Sequence, residues 1–160
     1  MAVRQLLAST AIVVALTLAA AASASSAIDL REPAGSSSRV QLTGGKGIAI
    51  VHSEDGTAYG RVAEGRIKVV DPLRGKNTDV SLAGCEERRH PAPRTTVCIG
   101  ESISFFVQYG VWTVTLRGRG INSSAVARGW LKLKGTRGRY SIDGADPKRW
   151  PRIMRTFKLG

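Results

Sequence analysis

The chain reads as an all-β domain behind an export leader, on three observations. After the first 27 residues, short runs rich in β-branched and aromatic residues recur, with glycine breaking them about every six to ten positions. Asp-Gly pairs at 55–56 and 143–144 and a Tyr-Gly pair at 109–110 supply the positive φ that tight hairpin turns need. Helical periodicity is absent beyond the leader. The expected architecture is one antiparallel β-sandwich or flattened barrel of about 8–10 short strands, since either lets one apolar face per strand meet another across a shared core. A β-solenoid is the alternative, suggested by Gly60-Arg61-Val62 followed by Gly65-Arg66-Ile67.

Residues 1–27 carry Arg4, a charge-free apolar run from Leu6 to about Ala22 and then small residues, the pattern of a cleavable signal peptide. An uncleaved anchor is the rival reading, but alanine fills much of the run and contributes little transfer energy. Residues 28–44 mix Pro, Gly and a triple serine and read as a flexible N-terminal arm. Residues 45–160 then form the single β domain, too short for two cores. Strands are expected at 48–52, 58–63, 66–71, 79–82, 95–99, 102–108, 111–117, 125–134, 139–143 and 155–159. Trp112, Val114 and Leu116 with Ile103, Phe105 and Val107 are the expected core, and Trp150-Pro151 closes one end of it. Gly118-Arg119-Gly120 reads as a reversal whose backbone groups Asn122 and Ser123 satisfy.

Cys85 and Cys98 are the only cysteines, and in an exported chain they are most simply a disulfide. A zinc site from Cys85, His90 and Cys98 lacks a fourth ligand and a C-x-x-C pair. No metal and no cofactor is expected.

The formal net charge is +12. Residues 28–110 hold eleven Lys and Arg against ten Asp and Glu, whereas residues 111–160 hold twelve against two. Strand alternation from 125 to 134 sets Ala127, Gly129, Leu131 and Leu133 on one face and Arg128, Trp130, Lys132 and Lys134 on the other, with Arg137 and Arg139 on the next strand. Arg128, Trp130, Lys132, Lys134, Arg137 and Arg139 are therefore the candidate binding residues. Cations around an aromatic ring suit an anionic polysaccharide, a polyphosphate or extracellular DNA. The bland reading of that face is ordinary solvated surface with Trp130 tucked against a neighbouring strand.

Catalytic signatures fail one by one. His52 with Asp55 or Asp71 and a serine could be assembled into a triad, but no G-x-S-x-G marks a nucleophile. His52-Ser53-Glu54 lacks the second half of a deaminase zinc motif. Gly44-Gly45-Lys46-Gly47 lacks Walker spacing. Glu54, Asp55, Asp71 and Glu101 read as turn or surface carboxylates rather than a glycosidase pair. Asn122-Ser123-Ser124 is a formal glycosylation sequon.

The run from Gly110 to Arg139, then Arg-Tyr-Ser-Ile-Asp-Gly at 139–144, Arg-Trp-Pro at 149–151 and the closing Arg-Thr-Phe-Lys-Leu-Gly, resembles a group of small uncharacterised secreted β proteins of high-GC actinobacteria. The likeness covers the last fifty to sixty residues. It implies a compact β fold and an envelope or extracellular setting, and it carries no site residues. The expected role is that of an exported, non-enzymatic binding or structural protein of the cell envelope or extracellular space. The alternatives are a small secreted hydrolase built on His52, or a structural part of a surface assembly. Oligomeric state is left open.

Overall fold

The structure is a computed structural model that describes residues 36–72 and 78–160; the expected leader and residues 28–35 of the expected arm lie outside them. No described residue is helical. Seven strands follow in order: β1 (Ser38–Val70), β2 (Asp79–Ala83), β3 (Glu87–Ala92), β4 (Thr95–Gln108), β5 (Trp112–Ile142), β6 (Lys148–Arg149) and β7 (Arg155–Leu159). They make one antiparallel sheet with the path β2-β4-β1-β5-β6, in which β3 also pairs with β4 and β7 with β5. The sheet does not close into a barrel, because its path ends at β2 on one side and β6 on the other.

The all-β expectation holds, while the count of 8–10 short strands does not. β1 runs for 33 residues and β5 for 31. Segments 48–52, 58–63 and 66–71 fall in or at the end of β1, and segments 111–117, 125–134 and 139–143 likewise follow β5. The glycines that punctuate the sequence bend these strands without ending them, because a residue lacking Cβ can pass through φ values closed to others and still keep its ladder hydrogen bonds. No solenoid forms, since every pairing is antiparallel.

Two long strands wrapped on each other explain how one sheet encloses a core. Ile48 pairs with Lys134 on one side and Arg117 on the other, and Val51 likewise with Leu131 and Val114. The first half of β1 thus lies between the two halves of β5, while its second half lies between β5 and β4. The coiling turns one face of β1, β4 and β5 inward. Trp112, Val114, Leu116, Ile103, Phe105 and Val107 are all buried, as alternation predicts. Trp112 donates its indole N–H to Gly56 O at 3.3 Å. Trp150 does close one end of the core: it is buried and donates its indole N–H to Arg139 O at 3.0 Å.

Three local readings change. Of the arm expected over 28–44, residues 38–44 belong to β1, and Val40 and Leu42 are buried at 1% and 3% exposure. The alternation of Val40 and Leu42 spans too few residues to mark a strand beside the serines and glycines around it. Tyr109-Gly110 (φ 62° and 66°) and Asp143-Gly144 (φ 53° and 72°) are the expected turns. Asp55-Gly56 is not one: β1 continues through it with a register shift between Ser53 and Asp55, and the Ser53 hydroxyl donates to Asp55 O at 2.7 Å. Nor does the chain reverse at Gly118-Arg119-Gly120, which lies inside β5. Asn122 does hydrogen-bond freed backbone there, taking Gly44 N–H at 3.0 Å and donating to Gly120 O at 3.1 Å.

Cys85 and Cys98 are disulfide-bonded across 13 positions, tying the approach to β3 onto β4. Both thiols are thereby removed from any zinc site. Replacing the pair with serines is expected to cost about 3 kcal/mol, lowering the thermal midpoint by about 10 °C, because the unfolded chain regains the entropy of an open loop. A melting curve of the double variant beside the native chain checks this.

Candidate polyanion-binding surface

Five glycines stand side by side across the sheet. Gly100 pairs with Gly65, Gly65 with Gly118, Gly118 with Gly47, and Gly47 with Gly135. Gly47, Gly65, Gly100 and Gly118 have φ of 155°, 146°, 156° and 149°, in the range that side chains rarely adopt. A Cβ on Gly47 would collide with Lys134 O, one on Gly65 with Arg117 O, and one on Gly118 with Glu64 O. These strands approach so closely only because nothing projects between them. The outcome is a crease across five strand segments drawn from β4, β1 and β5, about 19 Å long from four inter-strand steps.

Four of these glycines, Gly47, Gly65, Gly118 and Gly135, line an open groove of about 1090 Å³. In a strand the residues before and after a glycine share one face, so each triplet puts one side chain on either bank. Arg117-Gly118-Arg119 contributes an arginine to each, Glu64-Gly65-Arg66 a carboxylate and an arginine, Lys46-Gly47-Ile48 and Lys134-Gly135-Thr136 one lysine apiece. Arg152 joins from the segment between β6 and β7. The groove lining therefore holds six cations and one carboxylate, Glu64, which pairs with Arg119.

Among the described residues there are three ion pairs, Arg89–Glu87, Arg119–Glu64 and Arg128–Glu54. Lys46, Arg66, Arg117, Lys134 and Arg152 thus have no carboxylate at ion-pair distance among the described residues. The groove is polarised along its length: Glu101 pairs in register with Glu64 at the β4 end, and Glu86 accepts the Glu101 N–H at 3.0 Å. On neighbouring β3 the Glu87 carboxyl is held below the ordinary carboxylate range by its hydrogen bond from Arg89, whose own pKa that bond raises. Anions would thus be drawn toward the β5 end and repelled from the β4 end.

The six residues expected from sequence divide among three places. Lys134 stands on the groove's bank. Arg128, Trp130 and Lys132 lie farther along the same outward face of β5, with Leu131 and Leu133 fully buried beneath, as alternation requires. Arg128 is partnered by Glu54 at 3.2 Å. Trp130 is half-buried, its ring stacked on His52 at 5.1 Å between centroids, with Lys132 Nζ 4.8 Å from the ring centre. Arg137 and Arg139 follow a bulge: Lys46 pairs with Arg137 and Gly47 with Gly135, leaving Thr136 unmatched. The bulge shifts the alternation by one, so these arginines are exposed and line a recess of about 500 Å³ with Arg149, Arg152 and Trp150. One strand with a bulge replaces the two neighbouring strands expected.

Lys46, Arg66, Arg117, Arg119 and Arg152 were missed. For all but Arg152 the signal is a charged residue beside glycine, a pattern that recurs in four triplets; the partnering of those four triplets is a long-range fact.

His52 Nδ1 hydrogen-bonds the Thr113 hydroxyl at 2.9 Å, and the ring packs on Trp130. Its hydrogen-bond partner is a hydroxyl, not the carboxylate that would orient a general base. Among the described residues no three His, Cys, Asp or Glu side chains gather as a metal-binding set. The surface is chemically suited to holding a row of anions against backbone. Comparison with known protein families, with curated proteins and with solved structures finds no match to this chain.

Proposed function

We propose that this chain is an exported, non-enzymatic protein of the cell envelope or extracellular space that binds anionic polymers, and that the glycine groove is where the polymer lies. The observation that carries this reading is the pairing of a side-chain-free floor with six cations against one carboxylate on its banks. A floor of glycine lets a narrow chain approach the sheet, and guanidinium groups on both sides present forked donors that match phosphate oxygens. The banks carry Ile48, Ile99 and Thr136 but no aromatic ring. Base stacking therefore has no platform in the groove, and a linear polyphosphate is favoured over single-stranded DNA, with acidic polysaccharide between them. Lys132, Arg137 and Arg139 extend the positive field beyond the groove.

The test is a binding series with linear polyphosphate, an acidic polysaccharide, single-stranded DNA and neutral dextran at about 50 and 200 mM salt. Binding ranked in that order, with dextran inert, is the expected result. Equal binding to dextran, or affinity indifferent to salt, would contradict the reading.

A further inference from the structure

Among the described residues three large hydrophobic side chains are exposed: Tyr109 at 42%, Ile153 at 69% and Met154 at 43%. Two of them are consecutive, at the tip of the short connection between β6 and β7. That tip is held at its base. Trp150 is buried and its backbone N–H donates to Gly138 O at 3.1 Å, while Pro151 O accepts Gly135 N–H at 2.8 Å. On the far side β7 begins at Arg155, in register with Leu133. The apolar pair is thus presented by a fixed scaffold.

Cations surround it. Arg149, Arg152 and Arg155 flank the pair in sequence and are exposed, and Arg137 and Arg139 share a recess with Arg149 and Arg152. Among the described residues none of these five has a carboxylate at ion-pair distance. Two side chains fall far short of the ~800 Å² per partner that a stable protein interface buries. A small apolar wedge inside a cationic collar fits instead the boundary between lipid headgroups and acyl chains, where apolar atoms are withdrawn from water and arginines meet phosphates.

We infer that Ile153 and Met154 form a wedge that docks this domain on an anionic lipid surface, with Arg149, Arg152 and Arg155 as its headgroup contacts. Docking this way leaves the groove's other five cations, Lys46, Arg66, Arg117, Arg119 and Lys134, to a separate ligand, while Arg152 lies where the two sites meet.

Met1 and Met154 are the only methionines, so peroxide oxidation of Met154 to its sulfoxide, followed by peptide mass, reads the tip alone. The full chain is exposed to peroxide alone, with vesicles of equal phosphatidylglycerol and phosphatidylcholine, or with vesicles of phosphatidylcholine. Anionic vesicles are expected to slow Met154 oxidation about tenfold and neutral ones to leave it unchanged, since the collar supplies much of the attraction. Ile153→Asp should abolish the protection while polyphosphate binding stays as in the native chain. Arg149→Gln with Arg155→Gln should weaken the protection severalfold. Arg66→Gln with Arg117→Gln and Lys134→Gln should leave protection intact while reducing polyphosphate binding. Equal oxidation rates with and without anionic vesicles, protection that survives Ile153→Asp, or protection lost with the groove variant would each overturn the proposal.

Discussion

Gly118→Ala should be among the most damaging single substitutions in the domain, costing about 4 kcal/mol or more and leaving much of the chain unfolded at 37 °C. Two effects add. At φ 149° a β-carbon is strained whatever the space, and here it would also collide with Glu64 O and lie 2.9 Å from Gly65 Cα. Relief by shifting the strand is blocked, because Gly118 has Gly65 on one side and Gly47 on the other, each equally close to its own neighbour. Gly144→Ala is the control. It has φ 72° but nothing within 4 Å, so only the backbone strain of about 1 kcal/mol should appear. Urea unfolding midpoints separate the two, and similar losses at both positions would mean that the row of glycines does not set the strand spacing.

Neutralising one bank of the groove is the second large effect. With Arg66, Arg117 and Lys134 all changed to glutamine, affinity for polyphosphate at about 50 mM salt should fall on the order of 100-fold, from the loss of three charge-assisted hydrogen bonds. These residues are exposed, and among the described residues they form no ion pair, so fold stability should shift by less than about 0.5 kcal/mol. Changing Arg128 alone should do little, because it is already engaged by Glu54.

These two effects arise from the same crease, the first from its glycines and the second from the side chains beside them, and that explains what the sequence could and could not disclose. Local grammar sufficed for the strand class, the core alternation of Trp112 to Leu116, the turns at Tyr109 and Asp143, and the inward face of Leu131 and Leu133. Each of those is decided by neighbours one or two positions away. The length of β1 and β5 was not legible, because Gly47, Gly65, Gly118 and Gly135 carry the same local mark whether they end a strand or crease it. Only the partner across the ladder decides, and Gly47 and Gly118 are 71 positions apart. The candidate site was partly legible for the same reason. Periodicity found that Arg128, Lys132 and Lys134 share a face, but it could not find that Lys134 shares a groove with Arg66 and Arg117. Nor could it foresee that Glu54 would reach Arg128, or that His52 would stack on Trp130. The phase of Arg137 and Arg139 depended on a bulge at Thr136 that pairing alone defines.

The most direct test is the salt dependence of polyphosphate binding for the native chain beside the variant with Arg66, Arg117 and Lys134 made glutamine. A polymer seated in the groove releases counterions at each cation it meets, so the logarithm of affinity should fall steeply with the logarithm of salt, and the variant's slope should be shallower by about 2. Identical slopes for the two proteins would place the bound polymer elsewhere on the surface and contradict the groove as its seat.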